Sequence, residues 1–409
     1  MKDRSINHSP STVKKHLAIF IPSLAGGGVA RVMLHLAKAF ATSGHQVDLL
    51  LCQTKGAFLD TVPRNINVVA LTPSSSLVSR LRVLISNPCL TLALLLPILL
   101  PHKPPKTIRY LSGLTTYLIR EQPDALLSAK THANLVAVWA KNIAAVRTRV
   151  VISERSTMST VIKNSRKWRW RFSSPLIRKT YPQADLVVAV SRGVADDVSS
   201  CTGLSRERIA TIYNPMLTEY INAQSILPVS HPWFNQESIP IILGVGRLVP
   251  AKDFRTLLKA FAHIRATRPA RLVILGEGRE RQTLESLAAE LGITSDFSLP
   301  GFETNPYAYM AQASVFVLSS ILEGLPNALI EALACGCPVV STNCRSGPQE
   351  ILDNGAFGPL VPVGNDKALA EAIVQTLDHP PKADRLRARA AEFDIRTIAE
   401  QYLEALLPA

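Results

Sequence analysis

Two carboxylates eight residues apart, Glu323 and Glu331, bracket Gly324-Leu325-Pro326-Asn327-Ala328-Leu329-Ile330, directly after the apolar run Ala313 to Leu318. Proline suits the first turn of a helix, where its missing N–H costs nothing, so a helix is predicted to begin at Pro326. Such an end points free N–H groups and about half a positive charge back into the loop. It attracts a diphosphate or the sugar beside it. On one continuous helix the two carboxylates lie just over two turns apart, with Glu331 about 12 Å deeper than Glu323. They then reach different parts of an elongated ligand and do not work as one acid pair. A loop carboxylate followed by an ordinary helix glutamate fits the same spacing.

A second set follows a glycine-marked strand end, Gly244-Val245-Gly246-Arg247-Leu248-Val249-Pro250-Ala251-Lys252-Asp253. Arg247 and Lys252 can neutralise a leaving diphosphate without a metal, each charge-assisted bond contributing about 1.5–3 kcal/mol. Two solvated surface cations are the plainer alternative. Near the N-terminus, Gly26, Gly27 and Gly28 permit close backbone approach to a phosphate or sugar. They do not spell GxGxxG with an acidic residue at the right distance, which argues against a dinucleotide oxidoreductase.

The elements that must position these residues repeat as strand, loop, helix. Leu17 to Pro22 is a β-rich run leading into the glycines, and Val29 to Phe40 has helical apolar spacing. Further apolar runs at Val47 to Cys52, Ala125 to Leu127, Val150 to Ile152 and Leu186 to Val190 alternate with helix-like stretches, the habit of a parallel α/β sheet. Residues 215–240 are rich in proline and polar residues and read as a linker. The pattern then restarts, with strands at Ile241 to Val245, Arg271 to Leu275 and Ser314 to Leu318 and helices at Phe254 to Thr267 and Arg279 to Leu291. This predicts two α/β domains, 1–214 and 241–395, with a terminal helix at 396–409.

The 409 residues suit two cores. A formal charge of +14 predicts attraction to polyanions, whether nucleic acid, anionic lipid or phosphorylated substrate. No zinc-finger spacing, RNP pattern or basic helix feeding a zipper is present, which argues against nucleic acid. The six cysteines show no CxxC pair, so neither zinc nor a disulfide framework is expected, and Cys335, Cys337 and Cys344 read as small buried hydrophobes. The first twenty residues lack a signal-peptide pattern, so the mature chain is expected to start near Met1 and to stay in the cytoplasm. Cys89 to Leu100 is apolar but too short to span a bilayer.

The segment Glu323 to Glu331 followed by ALACGCPVVSTN, together with GVGRLVPAKDFRTLLKAFA, LVILGEGRERQTL and LPGFETNPYAYMAQASVFVLSS, resembles the C-terminal half of family 4 retaining glycosyltransferases. SLAGGGVARVMLHLA, SAKTHANLVAVWA and VVAVSRGVADDV resemble the same family more loosely, so the likeness covers nearly the whole chain. It implies a GT-B architecture, two Rossmann-like domains facing across a cleft, with the acceptor on the N-terminal half and the nucleotide sugar on the C-terminal half. It implies that Glu323 holds donor-sugar hydroxyls, Glu331 the ribose, and Arg247 and Lys252 the diphosphate. Gly27 and Gly28 in the glycine loop and Gly324 to Asn327 join the donor site, the backbone near Gly301 and Phe302 meets the base, and His132 sits beside the donor sugar. On its own residues, His132 is equally a core or helix-cap histidine. Glu350 in SGPQEIL is either a residue near the base or a helix-start glutamate. Where relatives have a glutamate in the glycine loop this chain has Ala30, so that carboxylate's role is lost or moved.

The resemblance also implies transfer with retention, the departing phosphate oxygen helping to deprotonate the acceptor. No metal or other cofactor is expected, the nucleotide sugar being a co-substrate, with UDP the leading base. Lys163, Arg166, Lys167, Trp168, Arg169, Trp170 and Arg171 lie within nine residues that hold no acid, a composition that suits an anionic lipid interface or a solvated basic helix face. A lipid interface would put a lipid-linked glycan acceptor within reach on the inner face of the cytoplasmic membrane. Two rivals remain: an epimerase or phosphorylase of the same fold, and a non-catalytic basic binding protein.

Overall fold

The structure is a computed structural model that describes residues 13–25, 27–86, 106–164, 174–235 and 239–408. Two sheets organise it. The first has seven strands: β1 (His16–Ser23), β2 (Gln46–Gln53), β3 (Ile66–Ala70), β4 (Ala125–Ala129), β5 (Arg149–Glu154), β6 (Leu186–Ala189) and β7 (Ile209–Thr211), in the order β3-β2-β1-β4-β5-β6-β7. The second has six: β8 (Ile241–Val245), β9 (Arg271–Leu275), β10 (Phe297–Gly301), β11 (Val315–Leu318), β12 (Val339–Thr342) and β13 (Leu360–Val361), in the order β10-β9-β8-β11-β12-β13. Strands pair in parallel, β1 with β2 from His16↔Gln46 to Ser23↔Gln53 and β8 with β9 from Ile241↔Arg271 to Val245↔Leu275.

Parallel strands covered on both faces read as continuous apolar runs. Leu17 to Ile21 in β1 and Ile242 to Leu243 in β8 are buried without alternation. Around the second sheet, helix Phe254–Arg265 packs Leu257, Leu258 and Phe261 into one core with Ile242, Ile274, Val315 and Val317. Around the first, Trp139 is fully buried and donates through its indole N–H to Thr180 Oγ1 at 3.2 Å.

In both sheets the order reverses at the first strand. The chain leaves β1 toward β2 and β3, then returns to place β4 on the other side; β8 and β11 repeat the arrangement. Between such strands the loops diverge and leave a crevice at their carboxyl ends, where ligands of open α/β sheets bind.

By packing, the described residues divide into two compact units. One comprises those of Met1–Ser153, Pro175–Leu186 and Tyr402–Ala409, and the other those of Glu154–Ser174 and Val187–Gln401. Residues 215–240, read as a linker, carry helix Thr218–Ser225 and a short 3-10 turn, Pro232–Asn235. That stretch is packed against the second sheet: Asn305 Nδ2 donates to Gln224 O at 2.9 Å, and Tyr220 meets Tyr307 edge-on at 6.1 Å. The terminal helix is Ile395–Leu406. Strands β3, β7, β10, β12 and β13 were not singled out in the sequence; β7 and β13 have only three and two residues, and β10 carries Pro300.

One expectation is corrected at the site itself. The helix after β11 is Asn327–Ala334, and Pro326 stands before it as N-cap in an extended conformation, φ −76° and ψ 95°. Glu323 therefore lies in the loop, and only Glu331 is helical, one turn in. The estimate of two helical turns between the carboxylates does not apply. Leu325 and Pro326 are buried, so packing of the loop, not helix propensity, sets where the helix starts.

Candidate active site

The switch point of the second sheet collects the charged residues singled out from sequence. Arg247 and Lys252 follow β8, and Glu323 follows β11, its neighbour. Two loops are stitched together there: Ser319 Oγ donates to Lys252 O at 2.8 Å, and Ile321 N donates to Ala251 O at 2.9 Å. The next strand supports them, Thr342 Oγ1 donating to Ser320 O at 2.6 Å.

On this frame Lys252 Nζ donates to Glu323 Oε1 at 2.6 Å, and Ser320 Oγ donates to the same oxygen at 2.7 Å. Lys252 and Glu323 keep 21 % and 12 % of their side-chain surface, so the pair is shielded yet open to a ligand. A lysine has three donors, and two remain after the Glu323 bond. Among the described residues Arg247 makes no side-chain hydrogen bond or ion pair, and it is exposed. Its position at the strand end lets it meet an anion without first breaking a bond. Gly276 brings the loop after β9 against that after β8: at φ +141°, a Cβ there would stand 2.0 Å from Gly246 O.

Glu331 is buried in helix Asn327–Ala334. Burial and then its carboxylate push the Cys335 thiol up to about 12, and burial pushes Cys344 to about 12 as well. Both are free and buried, as is Cys337, and fill space as small apolar residues. Gly301 ends β10 at φ +104° and Phe302 beside it is 72 % exposed, a ring available for a flat partner. Glu350 lies in the first turn of Pro348–Ile351 but serves another helix: it accepts from Arg192 N at 2.7 Å and Gly193 N at 3.0 Å, and Tyr213 OH donates to it at 3.2 Å.

In the first unit the corresponding switch point holds Gly27 and Gly28 after β1 and His132 after β4. Gly27, φ +90°, precedes helix Gly28–Thr42, no side chain caps it, and a Cβ on either glycine would meet nothing within 4 Å. Gly26 lies outside the described residues, and Ala30 is buried in the helix. His132 is the second residue of helix Thr131–Ala144 and is partly buried. Lys130, the N-cap, was missed from sequence. It holds φ +85°, rare for a residue with a side chain, and burial lowers its pKa. Its ammonium has no hydrogen bond or ion pair among the described residues, and only its place between β4 and His132 could have flagged it.

Of the basic segment, Lys163 is exposed at the end of helix Met158–Asn164, and Arg166, Lys167, Trp168, Arg169, Trp170 and Arg171 lie outside the described residues, as does Cys89 to Leu100. Among the described residues no helix is long and apolar enough to cross a membrane, and no group of three or more His, Cys, Asp or Glu could hold a metal.

Two parallel Rossmann-like sheets, the second with two cations and a carboxylate at its switch point, are the architecture expected of a GT-B glycosyltransferase. The family model described as Glycosyltransferase Family 4 matches residues 26–220, and that described as Glycosyl transferases group 1 matches 231–393. A Campylobacter jejuni N-acetylgalactosamine-N,N'-diacetylbacillosaminyl-diphospho-undecaprenol 4-alpha-N-acetylgalactosaminyltransferase is 31 % identical over 398 residues, 96 % of this chain and 99 % of the relative. The lipopolysaccharide core biosynthesis glycosyltransferase LpsE of Rhizobium meliloti is 32 % identical over 231 residues, 55 % of this chain and 65 % of the relative. In fold, the chain is similar to Anabaena Alr3699/HepE in complex with UDP, TM-score 0.73 at 20 % identity, over 96 % of this chain and 99 % of that one. It is similar also to the lipopolysaccharide outer core galactosyltransferase WaaB, TM-score 0.70 at 18 % identity, over 95 % and 98 %. The chain belongs to glycosyltransferase family 4.

Proposed function

We propose that this glycosyltransferase moves a hexose or N-acetylhexosamine from a UDP-linked donor to a lipid-linked glycan, with retention of anomeric configuration and without a cofactor. The observation that carries the reading is the Lys252–Glu323 pair at the β8/β11 switch point, with Arg247, which has no side-chain partner among the described residues, on the same loop as Lys252. The diphosphate takes Arg247 and the two remaining donors of Lys252, which meet the charge that grows as the bond from C1 to the phosphate oxygen breaks. Glu323, held by Lys252 and Ser320, accepts from sugar hydroxyls, and Glu331 from the ribose. Gly324 to Asn327 line the sugar, Gly301 and Phe302 receive the base, and Gly27 and Gly28 are left open for a phosphate or sugar. The acceptor oxygen bonds C1 on the face the phosphate leaves, passing its proton to the departing phosphate oxygen.

Two features of the relatives support the choice of substrates: the Campylobacter relative is named for a diphospho-undecaprenol acceptor, and a fold neighbour was solved with UDP. On the first unit, Lys130 offers a half-buried cation to an acceptor diphosphate, and His132 is retained as a sugar-contacting residue. The +14 charge and the 163–171 segment support residence on an anionic membrane at its cytoplasmic face.

Purified protein given UDP-, GDP- and ADP-sugars with a polyprenyl-diphosphate glycan tests this. Transfer from one UDP-sugar, with an α product from an α donor by NMR, is expected. An inverted product would overturn retention, epimer formation without acceptor would favour the epimerase, and neither transfer nor epimerisation from any donor would favour the binding protein.

A further inference from the structure

The loop that carries Glu323 is held by residues that lie outside the second sheet and that the family site does not use. Ser191 follows β6 and is fully buried; its Oγ donates to Gly324 O at 2.8 Å while accepting from Val194 N at 3.2 Å, so one hydroxyl both caps helix Arg192–Thr202 and grips the loop. Gly324 lies so close to the backbone after β5 that a Cβ would stand 2.3 Å from Arg155 O. The Arg155 guanidinium donates to Asn214 Oδ1, and Asn214 Nδ2 donates to Asn327 Oδ1 at 2.6 Å. Asn327 is the first residue of the helix that carries Glu331, and Asn214 is 7 % exposed. The stretch from Gly324 to the helix start at Asn327 is therefore tied at both ends, Gly324 by Ser191 and Asn327 by Asn214. From the other side Gly347 presses on the loop, where a Cβ would meet Pro326 Cδ at 2.5 Å. Glu350, three residues on, takes the backbone N–H groups of Arg192 and Gly193 that follow Ser191.

We propose that Ser191 and Asn214, the latter oriented by Arg155, are positioning residues that fix the segment from Glu323 to Glu331 in its donor-binding conformation. This rests on the reading of Glu323 as a donor-sugar ligand. The physical case is that no regular structure fixes residues 319–326: they lie between β11 and the helix, and Pro326 supplies no side-chain cap. Hydrogen bonds at the two ends remove most of the remaining freedom, and a carboxylate displaced by about 1 Å loses about a hundredfold in rate. Loss of one buried bond is worth about tenfold in an equilibrium.

The test compares Ser191→Ala, Asn214→Ala and Glu323→Gln in the full chain, measuring kcat, the KM of donor and acceptor separately, and the melting temperature. Ser191→Ala also removes a helix cap and can fail to fold, whereas Asn214 caps nothing. Asn214→Ala is expected to raise donor KM about tenfold or more and to lower kcat, with acceptor KM unchanged. A purely structural role would instead lower the melting temperature and the active fraction with both KM values unmoved. Unchanged donor KM and kcat in Asn214→Ala, with Glu323→Gln inactive, would overturn the proposal alone. Full activity in Glu323→Gln would overturn the donor-site reading and the proposal with it.

Discussion

In the proposed reaction Arg247, Lys252 and Glu323 divide one task, and their replacement should give different kinetic signatures. If Arg247 meets the leaving diphosphate as proposed, Arg247→Ala should cost about 10²–10³ in kcat, by analogy with loss of one preorganised donor. Steady-state rates at saturating donor check this. Glu323→Gln keeps the shape but removes the charge that Lys252 answers, so it should lose comparable activity and, because it leaves a shielded Lys252 unpaired, lower the melting temperature as well. At this scale the sequence was informative because charged residues next to glycines and strand ends are few. It placed Arg247 and Lys252 after one strand and Glu323 after another, and the fold makes those two strands neighbours. It missed Lys130, Ser191 and Asn214, because a lone lysine, serine or asparagine carries no spacing, and their meaning comes from contacts far away in sequence.

At the scale of elements, loops decide where the helices begin. Sequence put the helix start at Pro326 from a local preference, whereas burial of Leu325 and Pro326 and the Asn214–Asn327 bond place it at Asn327. Close backbone approach makes a matching prediction. Gly276→Ala sets a Cβ 2.0 Å from Gly246 O at φ +141° and should cost about 2–3 kcal/mol, while Gly28→Ala, with open space around it, should leave stability nearly unchanged. Denaturant unfolding distinguishes them.

Helix Gly28–Thr42 carries Arg31, His35 and Lys38 along one side, and burial, then Arg31, then Lys38, lower His35 to about 4. A histidine with a depressed native pKa stabilises the fold above about 6.5 and withdraws that stability as pH falls toward 4, because the unfolded chain takes up the proton first. The melting temperature of the natural protein should therefore fall across pH 6.5 to 4 by more than that of His35→Leu. Equal slopes would show that His35 does not titrate there.

For the whole molecule, the alternation of strands and helices was enough to predict two parallel-sheet α/β domains, because fully covered strands such as Leu17 to Ile21 leave continuous apolar runs, whereas their Rossmann-like kind came from the family resemblance. The division by packing was not legible, since it depends on Ser191 meeting Gly324 and Asn214 meeting Asn327, each more than a hundred residues later. The net charge of +14 makes its own prediction at this scale. Binding to vesicles containing anionic lipid should weaken steeply with salt, and reversing Lys163, Arg166, Lys167, Arg169 and Arg171 to glutamate should abolish it, each cation contributing about 1 kcal/mol. Cosedimentation checks both, and unchanged binding by the reversed variant would remove the segment from the account.

Whether the β8/β11 switch point binds a nucleoside diphosphate through Arg247 and Lys252 can be read from calorimetric titration of UDP into the natural protein and Arg247→Ala. Saturable binding that weakens about tenfold or more in the variant while its melting temperature is unchanged is expected. Equal affinity in the two proteins would contradict it.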